Sequence, residues 1–254
     1  MRKEISITDS NFDPWDMLFE HRYADAAERC QVELAVNPDD SGTLSTHALA
    51  MLALGRLDIA LTEHVRANEL ASAKLQGESQ PYLEFVGTIQ WLLGNRTEAI
   101  RTFRAGVEGI SIGSIKLADN AGGVSFGMLL WYAGVAAGDE TARKQAIHYL
   151  EMLAGNRRIE YWPGPLALFA LGEKAEADVL HAICGSRMLN DAVESAKKDL
   201  LQRRRLTQAM FYFATCNRSQ GNEKRCASMM ARCAKLENPV LEAEWYLARG
   251  EIET

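Results

Sequence analysis

HRYADAAERCQVELAVNPDD at 21–40 and GRLDIALTEHVRANEL at 55–70 are two copies of one pattern. Shifted by 34 residues, His21 falls on Gly55, Tyr23 on Leu57, Ala26 on Ala60 and Glu33 on Ala67. The pattern recurs downstream at variable spacing. GNRTEAIRTF starts at Gly94 and carries Ala99, GEKAEADVLH starts at Gly172 and carries Ala177, and GNEKRCASMM starts at Gly221 and carries Cys226. A degenerate copy, DETARKQAIHYL, starts at Asp139 and carries Ala146. Self-similarity at this period marks an array of small supersecondary units, each too small to bury its own apolar face.

Each recurring position has a physical reason. The leading glycine closes one helix in the left-handed conformation, from which the chain reverses at little steric cost. The alanine or cysteine five residues on sits where two helices cross, and a larger side chain would hold them apart. Pro38 and Pro239 follow the second helix of the first and last copies, where proline stops a helix. Gly87 and Gly127 lie near the middle of the helices that precede two of the turns. Glycine costs about 1 kcal/mol there relative to alanine, a cost that close packing can offset. Leu83, Val86, Gln90 and Leu93 keep helical spacing around Gly87.

This 34-residue helix–turn–helix pattern resembles the tetratricopeptide-repeat family, from about Trp15 to Glu251. The resemblance implies an all-α fold: a right-handed superhelical solenoid of about six antiparallel helix hairpins in a single domain, 1–254. Its approximate units are 10–40, 41–75, 80–110, 120–155, 160–185 and 199–251. Several units depart from the pattern. Pro14 shortens the first helix of unit one, unit four has an enlarged turn, and unit five carries Pro163 and Pro165 where a first helix should begin. The step from Gly55 to Gly94 is 39 residues, which places an inserted loop at ASAKLQGESQ, 71–80. GVEGISIGSIKLADNAGGVS, 106–125, reads as a second loop, with a short extended segment at 111–115 as the alternative. Residues 188–213 keep helical periodicity and suggest one or two long helices, with Arg203, Arg204 and Arg205 on a solvated face.

Composition narrows the function. The chain is 47% hydrophobic and 24% charged, enough apolar side chain for a full core. A formal net charge of -6 disfavours nucleic acid and suits a basic protein partner, with plain solubility as the alternative reading of the same charge. Cys30, Cys184, Cys216, Cys226 and Cys233 are odd in number, contain no CxxC pair and match no zinc spacing, so all five read as small core residues in a reducing compartment. MRKEISITDSNFDPWD is too polar for a signal peptide, and no apolar stretch reaches membrane-spanning length, so a cytoplasmic location is expected.

Catalytic signals are sparse. HExxH, GxSxG and a phosphate-binding glycine loop are all missing, and AGGVSFG at 121–127 reads as a flexible lead-in to a helix. Among His21, His47, His64, His148 and His181, His64 and His181 share a repeat position with Cys30, which suits core or interface histidines. The expectation is therefore a non-catalytic protein with no metal and no cofactor. The competing enzyme reading rests on a carboxylate or histidine site around Asp119 and the glycine-rich segment.

In tetratricopeptide arrays the first helix of each unit lines a concave groove. Carried over residue by residue, that register assigns partner binding to Trp91 and Leu92 in unit three, Trp131 and Tyr132 in unit four, Phe169 in unit five and Arg218 in unit six. Met128, Trp162 and Phe211 fall at earlier groove-facing positions. Aromatics anchor interfaces because they bury large area at small rotamer cost; the alternative is that they pack between units. The family's carboxylate clamp of Lys, Asn and Arg is not reproduced, since the matching positions include Ser45, Leu49, Glu84 and Thr88. DNAGGVSFGMLLWYAG, WPGPLALFALG and LEAEWYLARGE also resemble helical-repeat immunity proteins of bacterial polymorphic toxin systems. That implies a basic toxin domain as the partner. An adaptor or secretion chaperone that takes a peptide segment is the alternative.

Overall fold

The computed structural model describes residues 13–74, 82–115 and 119–253, and all regular structure among them is helical. α1 (Pro14–Phe19) is followed by α2 (Tyr23–Val36), α3 (Ser41–Ala53) by α4 (Leu57–Lys74), α5 (Leu83–Leu92) by α6 (Arg96–Ser111) and α7 (Val124–Ala137) by α8 (Glu140–Ala154). A 3-10 turn at Arg157–Glu160 leads to α9 (Gly164–Ala170) and α10 (Glu176–Cys184). α11 (Leu189–Ala196), α12 (Leu200–Ser219), α13 (Glu223–Ala234) and α14 (Ala243–Glu253) complete the chain.

The turns expected from the sequence are built alike. Gly55 N–H donates to the Leu52 carbonyl and Arg56 N–H to that of Met51. The same pair of bonds recurs at Gly94 and Asn95, Gly138 and Asp139, Gly172 and Glu173, and Gly221 and Asn222. This is the Schellman arrangement, which satisfies two of the carbonyls a helix end leaves open. The leading residue is left-handed in every case, with φ between 67° and 81°. His21, aligned with Gly55, makes the same bonds at φ 60° despite its side chain, whose Nδ1 lies 2.9 Å from the Tyr23 hydroxyl.

The small residues after these turns do separate the helices by little. Ala26, Ala60, Ala99 and Cys226 have no exposed surface, although Ala177 is only half-buried. In the α7–α8 pair the close approach moves to Gly134, where a Cβ would lie 2.7 Å from the Arg143 backbone nitrogen. A Cβ on Gly87 would lie 2.4 Å from the Phe103 ring, and one on Gly127 2.7 Å from Leu150. Both glycines are there for contact, Gly87 in the middle of α5 as expected but Gly127 in the first turn of α7 rather than at its middle.

Neighbouring helices pack in sequence order from α1 to α9, but α12 also packs on α7, α9 and α10, and α14 packs on α5 and α12. In a one-dimensional stack each unit would touch only its neighbours. Here the C-terminal helices fold back over α5 and α7, the helices that the family register assigns to an open groove. One apolar core runs from α5 to α14, and a second joins α1, α2 and α3 to Trp245 and Tyr246 of α14.

Several local expectations change. The proposed loop at 106–125 is helical as far as Ser111, and residues 116–118 lie outside the described residues. Residues 71–74 of the expected insertion belong to α4, while 75–80 also lie outside the described residues. Arg203, Arg204 and Arg205 are not a solvated face: Arg203 pairs with Glu237, Arg204 with Glu242, and Arg205 lies over the Trp162 ring at 5.6 Å. Cys30, Cys226 and Cys233 are buried, but Cys184 and Cys216 are only partly so. His64 is buried against Phe85, with ring centroids 5.3 Å apart, whereas His181 is exposed and meets the Gly185 carbonyl at the end of its own helix.

Candidate functional site

The predicted aromatic stripe is an interior seam. Trp91 of α5 meets Tyr132 of α7 at 5.2 Å between ring centroids, and Tyr132 meets Phe211 of α12 at 4.6 Å. Phe211 meets Tyr212, and Tyr212 meets Trp131. Phe169 stacks edge-on against Phe213 at 4.9 Å. Tyr132, Phe211 and Met128 have no exposed surface, and Trp131 and Phe169 are buried. Trp162 is half-buried, its indole N–H donated to Gln208 at 2.5 Å. These side chains therefore do not form the open groove that the family register implies. α12 and α14 cover them, so their aromatic surface joins helices of the same chain.

Arg218 is also engaged within the chain. Its guanidinium holds both oxygens of Glu251 at 2.9 and 2.8 Å, and Tyr132 donates to the same carboxylate at 2.8 Å. Burial pushes the Glu251 carboxyl up, but the bonds from Arg218 and Tyr132 outweigh it and hold the group below its ordinary value. The bidentate pair locks α14 to α12.

Trp162 and Arg218 keep part of their surface exposed, and two of the predicted residues open onto one cleft. Trp91 and Leu92 line a cleft of about 540 Å³ where the C-terminal ends of α3 and α5 meet α14. Leu52, Leu54 and Leu57 form another wall, and Trp245, Arg249 and Gly250 form the α14 side. Gly250 permits the approach, since a Cβ there would lie 2.5 Å from Leu92. Each indole carries an arginine: Arg96 lies 5.3 Å from the Trp91 ring and Arg249 lies 5.2 Å from that of Trp245. Such stacking fixes a cation beside an apolar surface. Leu54 is 43% exposed at the rim, although it is a large aliphatic residue. The cleft combines an apolar floor, two fixed cations and the carboxylates Glu251 and Glu253, of which Glu253 pairs with Arg249.

Sequence reasoning missed Arg96, Trp245 and Arg249. Trp245 and Arg249 are four apart in LEAEWYLARGE and share a helix face, a signal that was present. Arg96 follows Trp91 across a turn, and only the folded turn brings the two together.

A second polar group lies where α14 begins. Glu242 and Glu244 are both 3% exposed. Glu242 pairs with Arg204, and Glu244 accepts from the Tyr212 hydroxyl at 2.8 Å. Glu84 of α5 faces them, with Oε1 sealed from solvent and no hydrogen-bond partner. Burial, with Glu242 nearby, pushes the Glu244 carboxyl up to about 7; burial also raises Glu242 and Glu84. Three carboxylates around one arginine is a buried charge excess that protonation relieves.

Asp119, the candidate acid, builds the start of α7. Its Oδ1 accepts from the backbone N–H groups of Ala121 and Gly123, and its Oδ2 from the N–H and hydroxyl of Ser125, all at 2.9–3.0 Å. Among the described residues no three His, Cys, Asp or Glu side chains come together as a metal site, and no helix is long and apolar enough to cross a membrane. No family model, no curated protein and no solved structure matches the chain.

Proposed function

We propose that the chain is a non-catalytic protein-binding module, a tetratricopeptide-like array of helix pairs that grips a protein partner. The recurrent Schellman turns and the small crossing residues support the array. The C-terminal helices fill the inner face, so binding moves from the expected open groove to the cleft at the turn ends of α3, α5 and α14. The observation that carries this reading is the composition of that cleft: two tryptophans, each topped by an arginine, beside a half-exposed leucine. Trp and Arg are the residues that contribute most at protein interfaces, because they bury area while keeping a polar contact. The acidic net charge suits a basic partner, and with the resemblance to immunity proteins it makes a basic toxin domain the first partner to test.

The test is affinity capture from the native host, comparing the native chain with Leu54→Glu/Arg96→Glu. Both side chains are exposed, so the fold should persist. A partner retained by the native chain and lost from the variant supports the cleft. Equal retention by the two would reject it. For the toxin reading, co-expression with a toxin encoded beside the gene must give both protection and a complex, and failure of both rejects that partner.

A further inference from the structure

A second cleft, of about 360 Å³, opens between α11, α12 and the end of α13. Its floor is apolar, formed by Val193, Ala196, Met210 and Leu236. Its rim is cationic, formed by Lys197, Arg203, Arg232 and Lys235, with Glu237 as the one carboxylate among the residues that line it. This is the reverse of the whole chain, whose formal charge is -6.

The local charges are incompletely matched. Glu237 is already held by Arg203 and lies 3.4 Å from His21 Nε2. Lys197 pairs with Glu194 across two side chains that are 62% and 65% exposed. Such a pair is worth little and is readily exchanged for another anion. Arg232 and Lys235 are exposed and form no ion pair among the described residues. Both lie in the last turn and cap of α13, where the helix dipole favours a cation.

We propose that this cleft docks an acidic segment of a partner protein, with one apolar side chain seated on Met210 and Leu236 and flanking carboxylates meeting Arg232, Lys235 and Lys197. The cations come from α11, α12 and α13, spread around the rim. That spacing suits a segment with several carboxylates better than a small molecule with one. The volume is at the low end of ordinary ligand sites, enough for an anchoring side chain. The long-range field of an acidic protein repels an acidic partner, so the contact depends on these few local charges and weakens with salt.

The test is titration of the full chain with three rhodamine-labelled peptides, read by fluorescence anisotropy. GEELFDELG carries both features, GKKLFKKLG reverses the charge and GEESSDESG removes the apolar anchor. GEELFDELG is expected to bind at least tenfold more tightly than either control, and to weaken at least tenfold in Arg232→Gln/Lys235→Gln. It should also weaken between 20 mM and 300 mM salt, with the far-ultraviolet circular dichroism unchanged. Leu54→Glu, in the other cleft, should leave this binding untouched, which separates the two sites. Equal binding of GKKLFKKLG, equal binding by the double variant, or no saturation below 1 mM would overturn the proposal. So would decanoate binding at this cleft in the absence of any peptide binding.

Discussion

Replacing Glu244 by glutamine should remove a large part of the pH dependence of stability. Glu244 is 3% exposed, accepts from Tyr212 and sits beside Glu242 and Glu84 with Arg204 as the nearby cation. Its folded pKa of about 7 stands above the ordinary 4.5. The folded state therefore holds a proton that the unfolded chain has released between those values. Stability from this group is fully present below pH 4.5 and is lost as the pH rises through 7. Each tenfold difference in proton affinity between the folded and unfolded chain is worth about 1.4 kcal/mol, so the loss approaches ~3 kcal/mol by pH 8.5. Glutamine keeps an oxygen for Tyr212 and cannot ionise. Urea unfolding at pH 5, 6, 7 and 8.5 should give nearly equal stabilities at pH 5, with the variant more stable by roughly 2–3 kcal/mol at pH 8.5. Shared titrating groups cancel in the difference, although Glu84 and Glu242 respond in part to the charge removed. Curves that stay parallel across the range would show that Glu244 is ionised throughout, and the account of a buried charge excess would fail.

Phe211→Ala should cost about 3–5 kcal/mol, because it opens a cavity at the junction of Tyr132, Tyr212 and α7; urea midpoints at constant slope would measure it. Gly87→Ala should destabilise by about 1–3 kcal/mol, since the new methyl overlaps the Phe103 ring, and calorimetric melting reads the change. Arg218→Met should take the bidentate guanidinium away from the part-buried Glu251. Native stability from Glu251 is present above its ordinary pKa and is lost as the pH falls through the depressed folded value. The variant should lose that acid-side slope, measured by urea unfolding between pH 3 and 6. Asp119→Ala should cost about 1–3 kcal/mol through the lost bonds to Ala121, Gly123 and Ser125 while leaving capture of a protein partner unchanged.

The local grammar of this fold was legible because it is set by neighbours in sequence. A left-handed residue, two backbone bonds and a small side chain five positions on are consequences of a stretch of about ten residues. The register extends even to His21, where no glycine marks the turn. What was not legible is how the pairs close on one another. Trp91, Tyr132 and Phe211 occupy positions that face inward, and an inward face reads identically in sequence whether water, a partner or another helix of the same chain covers it. The covering comes from α12 and α14, more than 60 residues downstream of α7 and α5 respectively. Tyr132 and Glu251 meet across 119 residues, and Tyr212 and Glu244 across 32. Periodicity carries no information at those separations. The charge on the C-terminal helices offered the one clue. Glu242 and Glu244 lie in a stretch rich in Trp, Tyr and Leu, and glutamates with no solvent-facing side must find partners inside. Arg204 and Tyr212 are those partners, and Arg218 does the same for Glu251 further along α14, so a basic run that looked like a solvated face supplies, through Arg204, part of what lets these glutamates be buried against the array.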